Sequence, residues 1–155
     1  IAVSKVTEAE KPTPEALVVL EGILNFDTGT LSQPGIEALL RTLPVDITFV
    51  DAEDTVRYFN KSEIFMRTKA VIGRKVQKCH PQQSVNIVNR ILDSFKSGRK
   101  DVAEFWINMK EKMIYIKYFA VRDKDGKYLG TMEVTQDVTD IRKLEGEQRL
   151  LDWTD

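Results

Sequence analysis

Cysteine and histidine are almost missing from this chain, whose 155 residues include one of each. One thiol cannot close an internal disulfide, so nothing here asks for an oxidising compartment. One cysteine and one histidine also fall short of the four ligands that a self-contained structural zinc site takes. An excess of either charge is missing too. With 23 Lys and Arg against 24 Asp and Glu the formal charge is −1, which speaks against a general nucleic-acid binder. No apolar run approaches the roughly 18 residues that cross a bilayer, and the first residues lack the basic-then-apolar order of a signal peptide. No glycine loop is placed to cradle a phosphate: Gly126 and Gly130 belong to a hairpin, and Gly73-Arg74 follows an apolar pair. These absences leave a cytoplasmic domain, without nucleic acid or membrane as partners and with little catalytic hardware. It is long enough to bury roughly 70% of the unfolded chain's surface.

Residues 1–30 read as a linker or N-terminal extension. It carries a short helix from Thr13, with Leu17, Leu20 and Leu24 on one face, and then a turn at Asp27-Thr28-Gly29-Thr30. A clearer flanking helix occupies 31–44. Ser32 suits its N-cap, Pro34 its first turn, and Ile36, Leu39, Leu40 and Leu43 form one apolar stripe before Pro44 stops it. That stripe is either a lid on its own domain or a dimer contact. Beyond Pro44 the period becomes two. Ile47–Val50 and Val56–Phe59 read as a hairpin, and residues 60–78 as short helical turns anchored on Ile64-Phe65-Met66 and Val71-Ile72. A strong helix follows Pro81, with Val85, Val88, Ile91, Leu92 and Phe95 on its buried face and Ser97-Gly98 as its stop. Three strands come next, over 102–109, 113–121 and 128–136. Both their faces are bulky, so helices are expected on one face and the N-terminal helix or a second subunit on the other. Residues 138–155 read as a C-terminal helix on Ile141, Leu144 and Leu151, weakened by Gly146.

Candidate chemistry gathers in a few places. Cys79 and His80 are adjacent, but consecutive side chains diverge, so adjacency makes a poor nucleophile–base pair. His80 as a haem or metal ligand is better founded, since one imidazole can hold a haem iron. Its place before Pro81 also fits a simple helix cap. Glu104 and Glu133 lie mid-strand, free to meet a ligand or a cross-strand cation such as Lys117. Trp106, Tyr115, Tyr118 and Phe119 concentrate on the middle strands, as core and dimer surface or as the lining of a small-molecule pocket.

The order hairpin, short helices, longer helix and three antiparallel strands resembles a PAS domain, and so do the motifs. Val56-Arg57-Tyr58-Phe59-Asn60 is similar to the family's second strand with its closing Asn. Val71-Ile72-Gly73-Arg74 resembles its step between short helices, His80-Pro81 its entry to the long helix, and Asp137-Val138-Thr139 its exit motif. The resemblance runs from about Leu43 to Leu144. Leu43–Asp51, Cys79-His80-Pro81, Phe105-Trp106-Ile107 and Tyr118–Arg122 resemble most closely the PAS-like module that follows a hemerythrin-like domain in bacterial proteins.

The resemblance implies an α+β fold: a five-stranded antiparallel sheet with short helices and one long helix on one face, a PAS core over 45–137 and flanking terminal helices. It implies a non-enzymatic sensor that binds an unidentified small molecule, dimerises with a second copy and works beside other domains of its full-length protein, a hemerythrin-like one among them. A ligand-free interaction module and a haem or metal sensor using His80 are the alternatives. The expected pocket residues are His80, Asn60, Trp106, Tyr115 and Tyr118. Asp137 and Thr139 would couple strand to exit helix, and Ile36, Leu39, Leu40 and Leu43 would form the dimer contact. Flavin is not expected, since the adduct cysteine is missing from Gly73-Arg74-Lys75-Val76. Haem-binding relatives carry a histidine within the long helix, where this chain has Asn86 and Asn89.

Overall fold

A computed structural model describes residues 22–150, and the chain divides into two units after Thr42. In the first unit Asp27-Thr28 turns the chain tightly enough to pair the residues on either side. Strand β1 (Ile23–Phe26) therefore runs antiparallel to β2 (Gly29–Ser32). The short helix expected to reach Leu24 is corrected at that end: Leu24 sits in the ladder opposite Leu31. Residues 13–20 lie outside the described residues. Helix α1 (Gln33–Thr42) follows at the expected place, and the Ser32 hydroxyl accepts the Gly35 N–H at 3.1 Å. Its apolar stripe stays open, with Ile36 and Leu40 half-buried and Leu39 54% exposed.

The second unit is a five-stranded antiparallel sheet. Its strands are β3 (Asp46–Asp51), β4 (Val56–Phe59), β5 (Val102–Met109), β6 (Lys112–Arg122) and β7 (Tyr128–Asp137), in the spatial order β4-β3-β7-β6-β5. Helix α2 (Gln82–Lys96) packs on one face and buries Leu92 and Phe95; Val50, Val56 and Ile114 of the sheet are buried too. The alternation of β5 holds. Phe105 and Ile107 point to the helix side, while Trp106 stays on the other side at 64% exposure. Lys110 and Glu111 turn β5 into β6 with φ of 49° and 66°, the left-handed pair that a two-residue hairpin of matching twist demands. At Gly130 the need for glycine is steric. A Cβ there would stand 2.2 Å from the Val50 carbonyl oxygen and 2.8 Å from the Phe49 ring.

Between β4 and α2 the chain is less regular than its apolar anchors imply. Two 3-10 turns form, at Lys69–Val71 and Val76–Cys79, but none forms over Ile64–Met66. The Asp46 carboxylate accepts the Ile64 N–H at 2.9 Å and so takes a donor that a local turn would use. The C-terminal helix is also corrected over its described part, to residue 150; Leu151 and the residues after it lie outside the described residues. After β7 only a 3-10 turn, Ile141–Lys143, is helical among the described residues. Leu144 is extended, Gly146 has φ of 64°, and Ile141, Leu144 and Leu150 are 51%, 78% and 84% exposed. With no surface to cover, so short a helix has nothing to offset its nucleation. No helix among the described residues is long and apolar enough to cross a membrane.

Two substitutions test this packing by urea denaturation. Phe95, fully buried, should cost about 3–5 kcal/mol on truncation to Ala. Gly130→Ala should cost more than about 2 kcal/mol, because the new methyl meets backbone and an aromatic ring instead of a flexible side-chain end.

Candidate ligand pocket

Strand β7 lies mid-sheet, and its helix-side residues Thr131, Glu133 and Thr135 are short or polar. Opposite them on β3 stand Asp46, Thr48 and Val50. Above them a cavity of about 840 Å³ remains between helix and sheet. Ile87, Val88, Ile91 and Leu92 wall it from α2, Phe105, Ile107 and Ile116 from the sheet, and Phe65, Val71 and Val76 from the connecting segment. Apolar walls with a few convergent polar groups are the usual make-up of a small-molecule site.

The polar groups centre on Glu133. Arg67, from the irregular segment, forms an ion pair with the Glu133 carboxylate across 66 residues of sequence, and its guanidinium lies 5.9 Å from the Phe65 ring centre. The Thr135 hydroxyl donates to the same carboxylate at 3.3 Å. Tyr118 stands directly opposite Glu133 on β6. Burial foremost, then the Glu133 charge, push the Tyr118 pKa up, so its hydroxyl keeps its proton and serves as a donor. The arms of the Arg67–Glu133 pair are only 18% and 13% exposed, so removing either leaves a poorly solvated charge behind. Thr48, directly opposite Glu133 on β3, is 7% exposed, and its hydroxyl oxygen has no hydrogen-bond partner.

His80 lines the cavity, its Nδ1 2.9 Å from the Val76 carbonyl oxygen. It does not cap α2: the N-cap is Pro81, with no side-chain cap. Cys79, exposed at the rim, bonds the Lys75 carbonyl instead of the imidazole, so the two neighbours do not form a dyad. Among the described residues no three His, Cys, Asp or Glu side chains are grouped to hold a metal.

Of the five expected pocket residues, His80 and Tyr118 are brought together. Three are corrected. Asn60 holds the hairpin instead: its Oδ1 accepts the Ile47 N–H at 2.7 Å and its Nδ2 donates to the Val45 carbonyl at 3.0 Å. Trp106 and Tyr115 are directly opposite each other on β5 and β6, one residue out of phase with the pocket face. The Tyr115 hydroxyl donates to Glu104, a bond that, ahead of burial, raises its pKa. Glu104 thus bonds within its own face although Lys117 is its register partner. The residue reading missed Thr48, Arg67, Arg74 and Lys78. Thr48 was accessible through the alternation of its strand; Arg67 reaches Glu133 by a fold that no local pattern encodes.

At the end of β7, Asp137 and Thr139 do meet, although only a 3-10 turn follows them among the described residues. The Asp137 carboxylate accepts the Thr139 N–H at 3.0 Å and the Thr139 hydroxyl proton. The hydroxyl oxygen in turn accepts the Met113 N–H at 2.9 Å. Lys112 adds an ion pair to Asp137 at 3.1 Å. The Thr139 hydroxyl first, then its N–H and Lys112, lower the Asp137 pKa from 3.8 to about 2. Because the folded value is the lower one, this clasp is intact above pH 3.8 and is lost as pH falls toward 2. Asp137→Asn should speed exchange of the Met113 and Thr139 amide protons at neutral pH several-fold, read by NMR, while the amides of α2 keep their protection.

The PAS domain family model matches residues 36–139. A crystal structure of a C-terminal domain from Streptococcus mutans shares 30% identity at a TM-score of 0.75, over 79% of this chain and 97% of that one. The VqmA dimer of Vibrio cholerae without its target DNA has a TM-score of 0.53 and 20% identity, over 81% of this chain and 59% of that one. VqmA bound to DPO has a TM-score of 0.50 and 19% identity, over 67% and 56%. These last two show likeness of fold alone, and this chain spans less than two thirds of either. No curated protein sequence matches the chain. By the span of the family match, and by the sheet, helix and cavity that agree with it, the chain belongs to the PAS domain family.

Proposed function

We propose that this PAS domain is a non-enzymatic, cytoplasmic sensor module whose cavity takes a small molecule and whose β7 end reports occupancy. PAS domains are typical of sensor and signalling modules. The observation that carries the reading is the cavity with Thr48 beneath it: a buried hydroxyl without a partner beside an ordered ion pair. Such a hydroxyl costs about 1–3 kcal/mol that a ligand atom or a trapped water returns. Only differential affinity is required, since a tenfold preference for one state supplies about 1.4 kcal/mol. VqmA, of similar fold, is described bound to DPO.

The open stripe on α1 supports a second element of the proposal, a homodimer formed through Ile36, Leu39 and Leu40, with Leu43 just beyond the helix. A hemerythrin-like domain as neighbour in a longer bacterial chain rests on the resemblance of Leu43–Asp51, Cys79–Pro81, Phe105–Ile107 and Tyr118–Arg122 alone. The exposed stripe also favours the rival reading, a PAS module that only dimerises.

NMR with small heteroaromatic and aliphatic fragments separates the two. Amide shifts are expected at Thr48 and Tyr118 and, with the same fragments, at Val138 and Thr139. Val88→Trp, which fills the cavity, should abolish both sets and leave the melting temperature within a few degrees. Shifts confined to the outer sheet face would sink the sensor reading. Leu39→Glu should turn a dimer into a monomer in sedimentation velocity, and an unchanged sedimentation coefficient counts against the dimer.

A further inference from the structure

The cavity is more cationic than the chain that surrounds it. Arg67, Arg74 and Lys78 line it against one carboxylate, Glu133, although the whole sequence carries a formal charge of −1. Arg67 is neutralised by Glu133. Arg74 and Lys78 are not: both are exposed, and neither pairs with a carboxylate among the described residues. Two solvated cations at a rim are ordinary by themselves. Their setting is less so. The first turn of the 15-residue helix α2 opens on the same cavity, where Pro81 and Ser84 line it. That helix has no side-chain cap and no acidic residue in its first turn. The positive end of its dipole therefore borders the same space as Arg74 and Lys78, although the Ser84 N–H itself is bonded to the Pro81 carbonyl at 2.8 Å. The unpartnered Thr48 hydroxyl is an independent sign that this cavity takes a polar ligand atom.

We infer that the occupant is an amphipathic anion, an alkyl or arylalkyl carboxylate by class. This rests on the pocket being the input site. The apolar body packs between Val88, Ile91, Phe105 and Ile107. The carboxylate lies at the rim among Arg74, Lys78 and the α2 N-terminus, and any polar atom further along the body reaches Thr48. Arg67 neutralises Glu133, whose Oε1 also accepts the Thr135 hydroxyl, so it does not repel such a body. A cationic ligand of the same length would bring its charge to a rim that is already positive.

Titration calorimetry with three probes of one chain length, sodium decanoate, 1-decanol and decylammonium chloride, tests the inference. Decanoate should bind at least tenfold more tightly than decanol at low salt, with the margin shrinking as salt is added, and decylammonium should bind most weakly. Arg74→Glu with Lys78→Glu should remove the preference and leave decanol unchanged. Arg74→Gln with Lys78→Gln should halve the margin or more, and circular dichroism confirms the fold of each. Equal affinity for decanoate and decanol, or a preference that survives both double variants, overturns the anion inference while the pocket reading stands. Binding that persists in Val88→Trp places the probes elsewhere and overturns both, as does the failure of all three probes to bind.

Discussion

What the middle strand withholds from the helix side governs the rest of this domain. A sheet roofed by a helix closes when its central strand sends large aliphatic side chains upward. Here β7 sends Thr131, Glu133 and Thr135, and β3 opposite adds Asp46 and Thr48. Leu92 and Phe95 of α2 are buried, as are Val50 and Val56 of the sheet, but Ile87, Val88 and Ile91 face open space. The carboxylate in that space must then be neutralised, and the cation comes from the irregular segment between β4 and the first 3-10 turn. Arg67 thus ties the 61–68 segment to the sheet, and cavity and irregular loop are two results of one strand's composition.

That dependence also shows which parts of the fold were legible in the sequence. The five strands and α2 fell within a residue or so of their expected limits, because period two and period 3.6 are local and both faces of the sheet are strongly patterned. Ser32 could be read as a cap because capping is also local. The lining of the cavity is legible only in part: it includes Tyr118 and His80, while Trp106 and Tyr115, suggestive for their aromatic bulk, stand one residue out of phase with Phe105, Ile107 and Ile116. Strict use of the alternation places Glu104, Trp106 and Asn108 together, away from the helix, and the same rule at β3 selects Thr48 over Phe49.

The remaining errors share a physical cause: contacts distant in sequence. Asn60 carries a family motif, but its amide is occupied with Val45 and Ile47 at the other end of the hairpin. Asp46 draws off the Ile64 N–H and leaves 61–68 irregular despite its apolar anchors. The C-terminal segment errs the other way: its helical pattern has no partner surface, and Ile141 and Leu144 stay exposed.

The register of β7 has a mechanical meaning. Glu133 and Asp137 lie four residues apart on the same face, about 13 Å along the strand; the β6 ladder spans both and the β3 ladder reaches Thr135, with no register shift in that stretch. That stretch has no joint. A disturbance of the Arg67–Glu133 pair cannot arrive at Asp137 as a local bend; it arrives as a tilt or twist that β3 and β6 must share. The sheet's central three strands therefore behave as a strut, and the Thr139 clasp sits at its end as the point where a small rotation becomes a displacement.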